Sequence, residues 1–116
     1  GARVGVALKP GTPFHEIASI MEHIDMVLIM TVEPGFGGQS FMGDMMDKVK
    51  EARREIDERF FGKIWLQVDG GISLETIAEA AQSGADTFVA GSAVFKSDDP
   101  GGMVDELRAL ASKSQA

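Results

Sequence analysis

The feature that most constrains this sequence is a fourfold alternation of short apolar runs with amphipathic segments. The runs are residues 3–8 (RVGVAL), 25–31 (DMVLIMT), 64–68 (IWLQV) and 87–90 (TFVA). They are uninterrupted and rich in β-branched or bulky residues, which is typical of strands buried on both faces in a parallel sheet. The pattern therefore predicts an α/β chain with strand and helix alternating four times.

The segments that follow the runs carry signals for helices. Apolar residues recur at three- or four-residue steps between Met42 and Phe60, which predicts an amphipathic helix there. The other three helices are predicted from their first residues, because Ser, Thr and Asp cap helices and Pro favours the first turn. Those first residues are Thr12 with Pro13, Ser73, and Asp99 with Pro100. The first helix should run to about Glu22, and Gly84 should end the third.

No linker or break in composition divides residues 1–116, so we expect one unit. An α/β unit of this kind is either a small doubly wound sheet or part of a (β/α)8 barrel. A complete barrel takes roughly 250 residues. The chain would then be about half of a barrel, and because it begins with Gly1 rather than Met we expect it to be a piece of something longer.

Composition narrows the possible partners. The formal charge of −7 repels phosphodiester backbones and anionic lipid surfaces, so we expect neither nucleic acid nor a membrane as partner. The chain has no cysteine, which excludes disulfides and thiolate metal sites and is compatible with a cytoplasmic location. Any metal must therefore be held by Asp, Glu or His. The two histidines, His15 and His23, lack a partner at ligand spacing and are predicted to lie on the surface.

Glycines cluster where the apolar runs end, which is where parallel α/β folds place function. The second run leads into MTVEPGFGGQSF at 30–41, the third into Asp69-Gly70-Gly71, and the fourth into Gly91-Ser92. Glycine lets backbone N–H groups crowd round an anion, although an ordinary glycine-rich connection has the same composition. If the last two runs are the last two strands of a barrel, the Gly70 and Gly91 turns, 21 residues apart, fit its phosphate site.

Two further residues stand beside these turns. Asp69 ends a strand next to the start of a helix, where a carboxylate serves either acid–base catalysis or the hydrogen bonding of a turn. Met30 ends the second run beside the glycine-rich segment and is a candidate to cover a ligand with apolar surface.

Taken together, four segments resemble the ribulose-phosphate 3-epimerase family, over the C-terminal half of that family's chain. They are residues 4–12 (VGVALKPGT), 30–41 (MTVEPGFGGQSF), 68–71 (VDGG) and 90–93 (AGSA). The resemblance implies the second half of a TIM barrel, with strands five to eight, and an isomerase that interconverts D-ribulose 5-phosphate and D-xylulose 5-phosphate. Two carboxylates would move a proton through an enediolate, with the help of one divalent metal ion (Zn, Fe, Mn or Co).

The resemblance also assigns residues. Asp69 matches one of the two acid/base carboxylates and a metal ligand of the family. The positions that match its substrate-binding residues are Met30, Gly35, Phe36, Gly37, Gly38, Gly70, Gly71, Gly91 and Ser92. The family's other aspartate and its two histidine ligands have no counterpart here, so we expect this chain alone to bind metal poorly and to be inactive.

Three functions therefore compete at the level of the sequence. The first is the epimerase, active as an intact and homo-oligomeric protein. The second is a non-catalytic half-barrel that binds a sugar phosphate. The third is another phosphate-binding barrel enzyme, such as a sugar-phosphate decarboxylase or synthase, against which the segment from Glu33 to Gln39 argues.

Overall fold

A computed structural model describes residues 2–32 and 41–115. Their centre is a parallel sheet of four strands in the order β1-β2-β3-β4. The strands are β1 (Gly5–Leu8), β2 (Met26–Met30), β3 (Trp65–Asp69) and β4 (Thr87–Val89). All four predicted strands are confirmed, with ends that differ by one or two residues.

The strand order decides between the two predicted architectures. Each strand pairs with the strand that precedes it in the chain, so the strand order runs in one direction across the sheet. Because crossovers between parallel strands are right-handed, such a sheet carries all its helices on one face, whereas a doubly wound sheet reverses at a switch point. The structure therefore has the α/β arrangement of half a TIM barrel, as predicted.

The helices form one layer along the sheet. They are a 3-10 helix at Phe14–His23, a 3-10 turn at Gly43–Met45, α1 (Met46–Phe60), α2 (Ile77–Ser83), α3 (Ser92–Phe95) and α4 (Pro100–Ser114). The first 3-10 helix packs on α1, α1 on α2, and α2 on α4. The Asp99 side chain accepts a hydrogen bond from the Gly102 N–H at 3.2 Å, which confirms Asp99 as the N-cap of the last helix.

Two helix predictions need correction, and one short helix was missed. The first helix starts at Phe14, with Pro13 rather than Thr12 at its N-cap, and is wound as a 3-10 helix. Its buried Phe14 and Ile17 have the three-residue spacing of such a helix, and buried Met21 follows four residues later. The third helix starts at Ile77, not directly after Ser73, because the Thr76 hydroxyl donates to Gly71 O at 2.7 Å and holds the intervening residues in a turn. The short helix α3 was not predicted.

The two faces of the sheet differ in burial. Leu8, Ile29, Leu66 and Val68 point toward the helices and are buried. The alternate residues are partly exposed, and Trp65 retains 51% of its accessible surface. The expectation that the strands are buried on both faces is therefore wrong, because the helices of the described residues cover one face only. In a closed barrel the other face would line the interior.

No helix in the described ranges combines the length and the apolar character needed to cross a membrane.

Candidate active site at the carboxyl ends of the strands

The strand register places Asp69 in the middle of the sheet at its C-terminal edge. Asp69 pairs with Met30 of β2 on one side and with Val89 of β4 on the other. Its neighbour Val68 is buried beneath the helices, so Asp69 lies on the opposite face and is half-buried. A carboxylate at this point would face the interior of a closed barrel at the end that carries active sites.

The turn after Asp69 requires both of its glycines. Gly70 and Gly71 have φ angles of +123° and +72°. A Cβ added to Gly70 would lie 2.6 Å from Cγ2 of Val32, and one added to Gly71 would lie 2.7 Å from the backbone of Phe41. Both contacts are closer than packed atoms tolerate. The turn is therefore held against the two chain segments that flank residues 33–40.

The predicted substrate residues Gly35, Phe36, Gly37 and Gly38 lie outside the described residues. The ends of their segment are described, and the Met42 N–H donates to Thr31 O at 2.7 Å. The segment that carries these four residues therefore starts and returns beside the Asp69–Gly71 turn.

A cleft of about 660 Å³ joins the turns that follow β3 and β4. Its walls include Asp69, Gly70 and Gly71 on one side and Gly91 and Ser92 on the other. The structure thus brings together the two glycine turns that the sequence suggested as a phosphate site.

Two residues that line this cleft were missed by sequence reasoning. Lys96 and Ser97 follow α3 and contribute a cation and a hydroxyl group to its wall. Their only signal in the sequence was their position just after the Gly91-Ser92 turn, and the unpredicted helix α3 is what returns them to the cleft. Met30 neighbours Asp69 in the sheet but does not line the cleft.

The residues for a metal site are incomplete in this chain. Within residues 2–32 and 41–115, no three His, Asp or Glu side chains come together in a way that could hold a metal ion. His15 and His23 are exposed, and His23 lies 3.5 Å from the carboxylate of Glu22. The described part of the chain therefore does not fit a complete metal centre on its own.

Ionisable groups beside the site reinforce its framework. The Lys48 ammonium of α1 donates to Lys9 O at 3.2 Å and to Pro10 O at 2.9 Å, and thereby ties α1 to the loop after β1. Burial lowers the pKa of Lys48, and the nearby Glu51 opposes that shift. Farther along the edge, a hydrogen bond from the Ser73 hydroxyl lowers the pKa of Glu75.

A different network closes the N-terminal edge of the sheet. Asp86 accepts hydrogen bonds from the Leu66 N–H and from Arg53, both at 3.0 Å. Arg53 also donates to Gly84 O at 2.8 Å, beside the positive φ of Gly84 that ends α2 as predicted. In α/β barrels the active site lies at the C-terminal edge of the strands, and residues at the N-terminal edge contribute to stability.

Fold and site together define the class: a parallel β/α half-barrel with a cleft and a carboxylate at the carboxyl ends of its strands. A sequence model described as the "Ribulose-phosphate 3 epimerase family" matches residues 1–95, and the chain belongs to this family.

Curated relatives agree with this assignment. The ribulose-phosphate 3-epimerase of Mycobacterium tuberculosis is 46% identical over 111 residues, which are 96% of this chain and 48% of the relative. That of Escherichia coli K12 is 45% identical over 113 residues, or 97% of this chain and 50% of the relative. That of Mycobacterium leprae is 46% identical over 111 residues, or 96% and 49%. The chain spans about half the length of these relatives and matches their C-terminal half.

Proposed function

We propose that this chain is the half of a ribulose-phosphate 3-epimerase that binds the phosphate and supplies one of the two catalytic carboxylates. Residues 1–116 would form a single half-barrel unit with strands five to eight of the barrel, the N-terminal half being contributed by a preceding segment. The intact protein would interconvert D-ribulose 5-phosphate and D-xylulose 5-phosphate. The observation that carries the proposal is the cleft that joins Asp69 to the Gly70-Gly71 and Gly91-Ser92 turns.

The reaction requires Asp69 to transfer a proton to and from the substrate. Epimerisation beside a ketone requires a base that removes a proton from one face of the carbon and an acid that returns a proton to the other. Ionised Asp69 would accept the proton in one direction of the reaction, and protonated Asp69 would donate it in the other. The second acid/base group would come from outside the described residues.

The phosphate would lie across the two glycine turns. A Cβ added to Gly91 would meet nothing within 4 Å, so packing inside the chain does not require glycine at this position. We infer that Gly91 leaves space for the oxygen atoms of a ligand. Lys96 would add a positive charge to a chain whose formal charge is −7. Met30, Gly35, Phe36, Gly37 and Gly38 remain proposed contacts of the sugar.

A divalent metal ion is part of this proposal for the intact protein only. Asp69 would be one ligand, and the other protein ligands would have to come from outside the described residues, which bring no three donors together. The proposed homo-oligomer, the cytoplasmic location and the absence of nucleic-acid and membrane partners stay predictions.

A second function is favoured by one observation. Because the described residues supply a ligand cleft and do not assemble a metal site, the chain by itself has the features of a half-barrel that binds a sugar phosphate without turnover.

Two measurements test these proposals. The mass of the native polypeptide comes first, because a value near twice 12.4 kDa supports the intact epimerase, whereas 12.4 kDa contradicts it unless a separate chain supplies the other ligands. Proton exchange at C3 of D-ribulose 5-phosphate in D2O, followed by NMR, then reports the chemistry.

Asp69→Asn is the decisive variant in the exchange assay. In the epimerase it should abolish exchange while the affinity for inorganic phosphate stays nearly unchanged. Asp105→Asn is the matched control, because Asp105 is an exposed residue of α4 that contacts only Arg108, at 3.7 Å, among the ion pairs of the described residues. Full exchange by Asp69→Asn would overturn the catalytic role, and phosphate binding without exchange in the unaltered native protein would support the binding half-barrel.

A further inference from the structure

A buried hydroxyl group lies directly behind the proposed catalytic carboxylate. Thr31 follows β2 and has no accessible surface. Its Oγ1 lies 2.5 Å from Gly70 O and 3.1 Å from Asp69 O, and its N–H donates to Asp69 O at 2.9 Å. Two consecutive carbonyl groups of the catalytic turn therefore converge on one side chain.

This convergence needs a donor between the two oxygens. The carbonyl groups of Asp69 and Gly70 point toward the same region. Asp69 O also accepts from the Thr31 N–H, whereas Gly70 O would lose the donor that lies 2.5 Å away if the hydroxyl were removed. A carbonyl group without a donor inside the protein is costly, and Gly70 O belongs to the Gly70–Gly71 peptide, so loss of the hydroxyl would favour rotation of that peptide. Gly70 permits such rotation more readily than any other residue because it lacks a Cβ.

Rotation of the Gly70–Gly71 peptide changes the backbone torsions of Gly70, directly after Asp69, and would move the Asp69 carboxylate. The Asp69 side chain has a single methylene group, so the position of its carboxylate depends closely on the backbone that carries it. A displacement of about 1 Å at a reacting group lowers rates by roughly 100-fold. Thr31 also accepts a hydrogen bond from the Met42 N–H at 2.7 Å, which anchors it from a third segment of the chain.

We propose that Thr31 is a positioning residue, whose hydroxyl fixes the Gly70–Gly71 peptide and thereby, through the backbone of Gly70, the direction of the Asp69 carboxylate. The inference rests on the proposed function, in which Asp69 transfers the proton. Thr31 touches neither the substrate nor the reacting atoms in this proposal, and it acts through the backbone of the turn.

The kinetic test uses the intact epimerase of the proposed function. Thr31→Val preserves the shape of the side chain and removes the hydroxyl, whereas Thr31→Ser keeps the hydroxyl. We expect Thr31→Val to lower kcat by about 10- to 100-fold with little change in KM, since the geometry of the reacting group is altered rather than the phosphate grip. Thr31→Ser should recover most of kcat. Wild-type kcat in Thr31→Val, or equal loss in both variants, would overturn the inference.

A spectroscopic test on the 116-residue chain is independent of activity. The Thr31 hydroxyl proton should give an NMR resonance that exchanges slowly with water, because it is buried and hydrogen-bonded. The carbonyl carbon of Gly70 should shift in Thr31→Val and return toward its original position in Thr31→Ser. If Thr31→Val does not fold, the hydroxyl resonance of the unaltered chain still tests the hydrogen bond. Rapid exchange of that proton with water would contradict it.

The two proposals fail in different ways. Full turnover by Asp69→Asn would refute the proposed function, and the inference about positioning would fall with it. Loss of turnover in Asp69→Asn together with wild-type kcat in Thr31→Val would refute the positioning role alone.

Discussion

Replacement of Gly70 by alanine should destabilise the turn that follows β3. The φ angle of +123° disfavours any residue with a Cβ, at a cost of about 1–3 kcal/mol. The added methyl group would also lie 2.6 Å from Val32 Cγ2 and 2.9 Å from Val32 N. Relieving that overlap costs a further 1–3 kcal/mol, roughly, as in other overpacked sites. We therefore expect the free energy of unfolding to fall by about 2–6 kcal/mol.

Urea denaturation followed by far-UV circular dichroism measures this loss. With a urea dependence of about 2 kcal/mol per molar, the midpoint of Gly70→Ala should drop by about 1–3 M. Gly91→Ala is the matched control, because its φ angle is not positive and its Cβ meets nothing within 4 Å. The control should stay within about 0.5 kcal/mol of the original chain. Equal midpoints for the two variants would refute the argument from close approach.

Three further predictions concern charged residues. Asp86→Ala should destabilise the chain by about 1–3 kcal/mol in the same urea assay, because the Leu66 N–H loses its acceptor; an unchanged midpoint would show that another acceptor replaces it. Lys96→Met should weaken binding of inorganic phosphate several-fold at low salt and less at high salt in calorimetric titrations, and no change would remove Lys96 from the proposed phosphate site. Because burial lowers the pKa of Lys48, the folded chain releases this proton before the unfolded chain does, so stability should rise with pH between the lowered pKa and the ordinary value of about 10.4. Across that pH window the urea midpoint should rise less in Lys48→Met than in Lys50→Met, which is the control because Lys50 is exposed on the same helix. An equal rise in both variants would show that Lys48 does not cause the pH dependence.

Local sequence signals were sufficient for the strands and for most helix ends. Apolar runs of strand length and the capping by Asp99 depend on nearby residues, so they were visible without tertiary structure. The 3-10 winding at Phe14–His23 and the late start of α2 were not visible, because they depend on which side chains the sheet buries and on a hydrogen bond from Thr76 back to Gly71.

The candidate site was only partly visible in the same way. Asp69 and the two glycine turns stood out because each follows an apolar run, but their distance from one another depends on the order of the strands. Lys96 gave no recognisable signal, since its place in the cleft depends on the unpredicted helix α3.

The sequence by itself determined the alternation of strands and helices, the positions of the turns and the resemblance to one family, because these properties are carried by residues close together in the chain. Tertiary structure decided that the strands follow one another across the sheet and that Gly70 and Gly91 fulfil different roles. A Cβ at Gly70 would collide with a neighbouring segment and a Cβ at Gly91 would not, and that contrast arises only when distant segments pack together.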